Sequence, residues 1–304
     1  MTTGSTSDVW LPDKLAVQVA ALEADPDAVL CYGRCLVMTA EGERTDQTYG
    51  ESDQGRSGDV FGLFLERHVI MEPAAMVRRG VLDEVGRFDP ELRAGKDTDL
   101  FLRIALRYPA VYIPEPLMYV RQHGGRRTNE AAALERSLHA RSRSIGKLLV
   151  MLPPERESFR AKLSLLLVGA RLKTLKLGLE SLSWEALVAE LEALPGEAAA
   201  DQAEAQLAQG TASLLRHWGR LHPEQSDHLQ VAGLRELVER LSAPAKRPAA
   251  HAARLNTALG LNSLRRGKVG EGLAWSCRGL RRNFIAWAGQ IVWAIGKTYE
   301  RKRA

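Results

Sequence analysis

The hydrophobic and polar positions of this 304-residue chain change their spacing near residue 123. Before that point, short apolar runs that fit strands alternate with stretches that repeat at helical spacing, which is typical of an α/β domain. From about residue 131 the helical spacing continues almost to the C-terminus. The sequence therefore predicts an α/β region over residues 1–130 and a helical region over residues 131–304.

The first helix is predicted over residues 12–24. Pro12 suits the first turn of a helix, where its missing N–H costs nothing. Three apolar side chains repeat at helical spacing and predict the face that packs on the core: Leu15, Val19 and Leu22.

The next elements follow from short apolar runs and their breaks. The firmest helix is predicted over residues 97–108, with aspartates in its first turn and an apolar face of Leu100, Ile104 and Leu106. The polar, glycine-containing stretch 41–58 is predicted to be a loop. The remaining predictions are strands at 28–40, 74–77 and 110–120, and short helices at 60–67 and 79–86.

The second region is predicted to be a series of helices. Clear breaks stand at Leu194-Pro195-Gly196 and at the Pro-containing stretch 243–248. The predicted helices cover residues 131–151, 155–180, 184–194, 197–220, 226–242, 249–266 and 270–298.

Charge is distributed unevenly along the chain. The net charge is +5, yet residues 245–304 hold 13 Lys and Arg against two Glu, which is +11 for the tail and −6 for the rest. This pattern favours a tail that meets an anionic surface over a basic groove for nucleic acid. The tail also lacks the residue patterns of known nucleic-acid-binding motifs, so no nucleic-acid partner is predicted.

Three cysteines form no disulfide framework. Cys31 and Cys35 have the spacing of a metal-binding pair, but no second pair or histidine cluster accompanies them. The favoured interpretation is that both are small apolar residues on a buried strand. A reducing, cytoplasmic location is predicted, since the N-terminus shows no signal peptide and no run is long enough to span a membrane.

The most specific stretch is VGRFDPELRAGKDTDLFLRIALRYPAVYIPEPLMYVRQH, residues 85–123. A Gly-x-Phe-Asp turn leads through a loop to Asp97 at a helix start. The helix ends in Arg-Tyr-Pro, and an extended segment closes on Tyr-x-Arg-x-His. Together with residues 9–33 and 74–89, this order of motifs resembles the second half of the catalytic domain of family 2 glycosyltransferases, over about residues 8–128.

The resemblance implies an incomplete GT-A-like, Rossmann-like sheet followed by helices. It implies transfer of a sugar from a nucleotide-sugar donor to a glycan or lipid-linked acceptor, with Asp97 as the base that takes the acceptor proton. The alternative for Asp97 is a helix cap. Lys96 stands where the family usually has Glu, and Asp99 is interpreted as a partner of the helix dipole.

Other site residues are also implied by the resemblance. Arg121 and His123 correspond to residues near the donor diphosphate, and His123 and Asp8 are candidate metal ligands. The alternatives are a structural arginine that pairs with a carboxylate, and a surface histidine. The family's Asp-x-Asp motif holds Mg²⁺ or Mn²⁺ with hard oxygen ligands; here Ser5 and Ser7 stand at the matching positions.

The expectation is therefore a chain that begins just after the donor half and is inactive alone. The alternative function is a non-catalytic scaffold or partner-binding module derived from a glycosyltransferase. An exposed sheet edge would favour self-association.

Residues 281–304 predict an amphipathic helix with an apolar, Trp-containing face and basic ends. Such a helix suits the anionic inner face of the cell membrane, as a peripheral contact rather than a span. The alternative is a helix that packs on its neighbours.

Overall fold

The structure is a computed structural model. It describes residues 8–122, 130–194, 201–221, 237–239, 241–242 and 248–264, with single residues at 275, 278 and 290. The chain divides into two compact units, Met1–Ala140 and Arg141–Ala304. The first unit mixes strands and helices, and the described elements of the second are helical, so the chain belongs to the α/β class.

One five-stranded sheet forms the centre of the first unit. Its order is β1-β5-β2-β3, and β4 also pairs with β2. Only the central β2–β5 pair is parallel, and the other three pairs are antiparallel. The strands are β1 (Val9–Trp10), β2 (Leu30–Met38), β3 (Arg44–Thr48), β4 (Met76–Val77) and β5 (Ala110–Arg121).

Strand β2 is buried along almost its whole length because it is central and covered on both faces. Its register with β5 shifts where Gly33 pairs with Ile113 and Arg34 pairs with Pro116. The shift accommodates the prolines of β5, which cannot donate ladder hydrogen bonds. A Cβ atom at Gly33 would lie 2.8 Å from the Ile113 carbonyl oxygen, so glycine is needed for this close approach.

The three predicted strands are present, and two further strands were not predicted. The prediction of a loop over residues 41–58 is wrong for Arg44–Thr48, which forms β3. Every residue of β3 is polar because it is a largely exposed edge strand. Its pairing rests on backbone hydrogen bonds and on the Thr45 hydroxyl, which donates to the Val37 carbonyl at 2.9 Å.

The apolar face predicted for the first helix is wrong for Leu15 and Val19 and confirmed for Leu22 alone. Helix α1 (Lys14–Ala24) buries Lys14, Gln18 and Leu22, while Leu15 and Val19 are each 45% exposed. Lys14 Nζ donates to Gln18 Oε1 at 2.6 Å, and the Gln18 amide donates to the Ala74 carbonyl at 2.9 Å. A buried polar pair that satisfies itself and reaches the backbone lets the polar side of this helix face the sheet.

Three more α-helices lie between the strands of the first unit. They are α2 (Phe61–Glu66), α3 (Val81–Val85) and α4 (Lys96–Ala105), with a short 3₁₀ turn at Glu72–Ala74. The three apolar residues predicted to face the core, Leu100, Ile104 and Leu106, are buried, although α4 ends at Ala105 and not at the predicted residue 108. Cys31 and Cys35 are buried, free thiols on β2, and burial raises the pKa of each, to about 11 and about 12.

The second unit is built of helices packed around leucine, alanine and Trp218. Arg254 and Glu204 form a buried ion pair between two of the helices. The predicted ends agree with the structure within a few residues, except that 155–180 begins with a 3₁₀ turn at Pro154–Phe159. Helix α5 (Glu130–Met151) begins in the first unit and ends in the second, and the helices that follow it are α6 (Arg160–Gly178), α7 (Trp184–Ala193), α8 (Asp201–Leu221) and α9 (Pro248–Leu264).

None of the helices within the described residues is long and apolar enough to cross a membrane. The predicted helix 270–298 and the amphipathic segment 281–304 lie outside the described residues, apart from isolated positions. The same holds for most of the predicted helix 226–242.

Candidate functional site

Asp97 lies in the first turn of α4, as the second residue of the helix. Gly95, with a φ of 63°, is the N-cap, and the helix begins at Lys96. Asp97 is therefore not the cap. It is half-buried, and its side chain makes no hydrogen bond or ion pair with any described residue. The carboxylate sits at the positive end of the helix dipole and is available to a ligand.

Asp99 points in another direction and is a structural residue. Its carboxylate accepts two hydrogen bonds from Arg103, at 3.0 Å and 2.8 Å, and both side chains are almost fully buried. The dipole interpretation of Asp99 is thus incomplete, because its main partner is a buried guanidinium. A buried bidentate pair of this kind has a fixed geometry.

Arg103 also ties α4 to the Gly-x-Phe-Asp turn. Its guanidinium donates to the carbonyl oxygens of Gly86 at 3.0 Å and Arg87 at 2.8 Å, and also to the Val85 carbonyl. One buried side chain therefore fixes the position of residues 85–87 relative to the start of α4. The two most specific motifs of the sequence are joined by this arginine.

Lys96 extends over the ring of Phe88, with Nζ 5.3 Å from the ring centroid. This is a cation–π contact at a partly exposed site, worth about 0.5–1 kcal/mol. The contact places the Lys96 ammonium beside the Gly-x-Phe-Asp turn, although the residue itself begins α4. The charge reversal relative to the family pattern thus has a defined partner.

Asp8 and Arg121 come together at the end of the sheet where β1 pairs with β5. The Arg121 backbone N–H donates to Asp8 Oδ1 at 3.1 Å. The Arg121 guanidinium donates to the carbonyl oxygens of Ala40 at 2.9 Å and Thr39 at 3.4 Å. Arg121 thus anchors the turn that follows β2, and Asp8 fixes the end of β5.

The Asp8 charge also affects its surroundings. Burial is the main reason that the pKa of the Cys35 thiol rises, and the nearby Asp8 carboxylate raises it further. Asp97 shares no hydrogen bond or ion pair with Asp8 or Arg121, although all three are described. The structure thus brings together two of the predicted site residues and holds the third on a separate element.

Metal ligands are sparse in the described part of the chain. No three His, Cys, Asp or Glu side chains there gather as a metal-binding group. At the predicted metal position, Asp8 supplies one carboxylate, and one of its oxygens already accepts a backbone hydrogen bond. His123, Ser5 and Ser7 lie outside the described residues. Asp8 alone does not make a Mg²⁺ or Mn²⁺ site.

A cleft of about 490 Å³ opens between α3, the Gly-x-Phe-Asp turn and α4. The sequence did not predict it, because its residues come from three separate elements. The signal that could have indicated it is the number of arginines on either side of α3. The cleft is lined by Arg79, Leu82, Asp83, Arg87, Phe88 and Leu100.

The fold and the site place the protein in the mixed α/β class, with a candidate base on α4 beside a partly apolar, basic cleft. Comparison with models of protein families found no match, and comparison with curated proteins found no similar sequence. The resemblance to family 2 glycosyltransferases therefore rests on the motifs of residues 8–128.

Proposed function

We propose that residues 8–121 form the acceptor side of a GT-A-like, family 2 glycosyltransferase domain. The reaction is transfer of a sugar from a nucleotide-sugar to a glycan or lipid-linked acceptor. The observation that carries the proposal is Asp97: a half-buried carboxylate that the fold leaves without a described partner, on a helix fixed by the buried Asp99–Arg103 pair.

The proposed chemistry needs one proton acceptor at this position. Asp97 takes the proton of the acceptor hydroxyl while the hydroxyl oxygen attacks the anomeric carbon of the donor. The new C–O bond forms as the bond from that carbon to the diphosphate oxygen breaks, and the nucleoside diphosphate leaves with the electron pair. Arg103 contributes by positioning, since it fixes the direction of the helix that carries Asp97.

The donor side of the proposal concerns residues 5–8. Family 2 enzymes use Mg²⁺ or Mn²⁺ to offset charge on the departing diphosphate. In this chain Ser5 and Ser7 replace the matching acidic residues, and Asp8 is the remaining carboxylate. The proposal is therefore that the chain is inactive alone.

The alternative function is a non-catalytic scaffold that binds a partner. The observation that favours it is helix α1, on which Leu15 and Val19 stand one turn apart and are both 45% exposed. Neighbouring exposed apolar side chains of this kind are candidates for a contact with a partner.

A hybrid protein separates the two functions. The nucleotide-binding half of an active family 2 glycosyltransferase is fused in front of Asp8, with the rest of the chain kept complete. We expect release of nucleoside diphosphate that depends on added acceptor. A folded hybrid that binds its nucleotide-sugar but transfers no sugar to any acceptor in a broad panel would favour the scaffold.

A further inference from the structure

The cleft beside α4 has an apolar floor and a charged rim. Leu82 and Leu100 are buried and Phe88 is half-buried, so three apolar side chains form the floor. Its volume of about 490 Å³ lies within the range of sites for small ligands. A purely polar sugar would leave this floor without a contact.

Two guanidinium groups stand at the rim. Arg79 is exposed, and its side chain makes no hydrogen bond or ion pair with a described residue. Arg87 pairs with Asp83 at 3.6 Å, but both side chains are about three-quarters exposed, at 76% and 74%. An exposed pair of this kind is weak, so a ligand anion can replace Asp83 at little cost.

Lys96 adds a third positive charge near the same cleft. Its ammonium lies over Phe88, which is one of the lining residues. The charged groups in and beside the cleft are therefore Arg79, Arg87 and Lys96 against two carboxylates, Asp83 on the rim and Asp97 at the edge. The remaining positive charge suits a phosphate, because each guanidinium can donate two parallel hydrogen bonds to phosphate oxygens.

The cleft adjoins the candidate base. On α4, Leu100 lines the cleft and stands three residues after Asp97 and four after Lys96. Residues at these spacings are neighbours on one helix face. A ligand in the cleft therefore has Asp97 at its edge.

We propose that this cleft binds a phosphate ester that carries an apolar chain, with the phosphate on Arg79 and Arg87 and the chain on Leu82, Phe88 and Leu100. This inference rests on the proposed function, in which it selects a lipid phosphate over a free glycan as the acceptor. The phosphate is held at the rim, and a separate hydroxyl group on the same phosphorylated lipid lies toward Asp97, gives it a proton and receives the sugar.

The test is calorimetric titration of the full chain with three probes at low salt: decyl phosphate below its micelle concentration, inorganic phosphate and decyl glucoside. Decyl phosphate is expected to bind at least about tenfold more tightly than either of the other two, because only it meets both the rim and the floor. Equal affinity for inorganic phosphate, or for the neutral decyl glucoside, would overturn the proposal.

Substitutions at the rim of the cleft test whether decyl phosphate binds there. The double substitution Arg79→Ala with Arg87→Ala is expected to weaken decyl phosphate by about tenfold or more, since hydrogen bonds to charged groups are lost. Arg107→Ala, which removes an exposed arginine at the other end of α4, is the matched control and leaves the affinity within about twofold. Unchanged binding by a double variant with a normal circular dichroism spectrum would exclude the cleft.

The titration and the hybrid test two separate proposals, so one can be overturned while the other stands. Binding of decyl phosphate with an inactive hybrid would overturn the glycosyltransferase proposal and leave the phosphate site in place. An active hybrid together with no binding of decyl phosphate would overturn the lipid-phosphate acceptor alone.

Discussion

Arg103 is the residue on which the geometry of the candidate site depends most. It pairs with Asp99 inside the protein and binds three carbonyl groups of residues 85–87. Removing one partner leaves the other charge buried and unpaired, which costs far more than loss of an exposed pair. Asp97 itself makes no such structural contact, so substitutions at positions 97 and 99 should behave differently.

Asp99→Ala is expected to lower the free energy of unfolding of the first unit by about 3–5 kcal/mol. Asp83→Ala removes a similarly spaced but exposed pair with Arg87 and should cost less than about 1 kcal/mol. The two changes in unfolding free energy are measured by urea unfolding, with hydrogen exchange of peptides from residues 81–105 as the signal. Equal protection in the two variants would show that the buried pair does not hold the site.

Lys14 predicts a pH effect at the residue scale. Burial lowers its pKa from 10.5 to about 8. Between pH 8 and 10.5 the unfolded chain therefore holds more protons than the folded protein, so the Lys14 contribution to stability rises with pH. The full difference corresponds to about 3 kcal/mol.

Lys14→Met keeps most of the side-chain volume and removes the titration. We expect the unfolding free energy of the original protein, relative to this variant, to rise by about 3 kcal/mol between pH 7 and pH 10.5. Comparing the two proteins cancels much of the opposing effect of Cys31, Cys35 and Tyr32, whose pKa values burial raises. Parallel pH profiles of the two proteins would contradict a lowered pKa at Lys14.

At the scale of elements, helix α1 shows that the spacing of apolar residues does not always predict which side of a helix is buried. Apolar spacing indicates that Leu15 and Val19 face the core, yet both are exposed and a lysine and a glutamine take the inner face. The pattern carries no information about the Ala74 carbonyl, 56 residues away, that satisfies Gln18. Long-range hydrogen bonds of this kind decide orientation when the helix is apolar on several sides.

The outward face of α1 supports the predicted self-association. Its exposed apolar side chains and the short edge strand β1 are next to each other in the chain. We expect the apparent mass in analytical ultracentrifugation to rise with concentration, and Leu15→Lys with Val19→Lys to abolish that rise. Gln47→Lys on the exposed edge strand β3 is the control. The same concentration dependence of the apparent mass in both variants would show that self-association does not depend on α1.

The elements of the sheet show the reverse case. Strand β2 is predicted correctly because it is an apolar run that is buried along nearly its whole length, and β5 because its two prolines exclude a helix. Strand β3 is missed because an edge strand needs no apolar residue. Asp97 and Asp8 follow from motif order, whereas the cleft depends on Arg79, Arg87 and Leu100, which meet only when α3 and α4 pack.

At the scale of the whole molecule, the full chain should not turn over a nucleotide-sugar by itself. Serine hydroxyls at positions 5 and 7 are poor ligands for Mg²⁺ or Mn²⁺ compared with carboxylates. Incubation with a panel of nucleotide-sugars and Mn²⁺ should release no nucleoside diphosphate above the level seen with heat-unfolded protein. Metal-dependent release that Asp97→Asn abolishes would contradict this expectation and establish the chain as a complete enzyme.

The most direct test of the account is the rate of sugar transfer by the hybrid with and without the Asp97 carboxylate. Asp97→Asn should lower this rate by about 10²–10⁴-fold, because a general base contributes on that order. Asp46→Asn, which changes an exposed aspartate on β3, should leave the rate within about twofold. An active hybrid whose rate is unchanged by the Asp97→Asn substitution would contradict the role of Asp97 as the base.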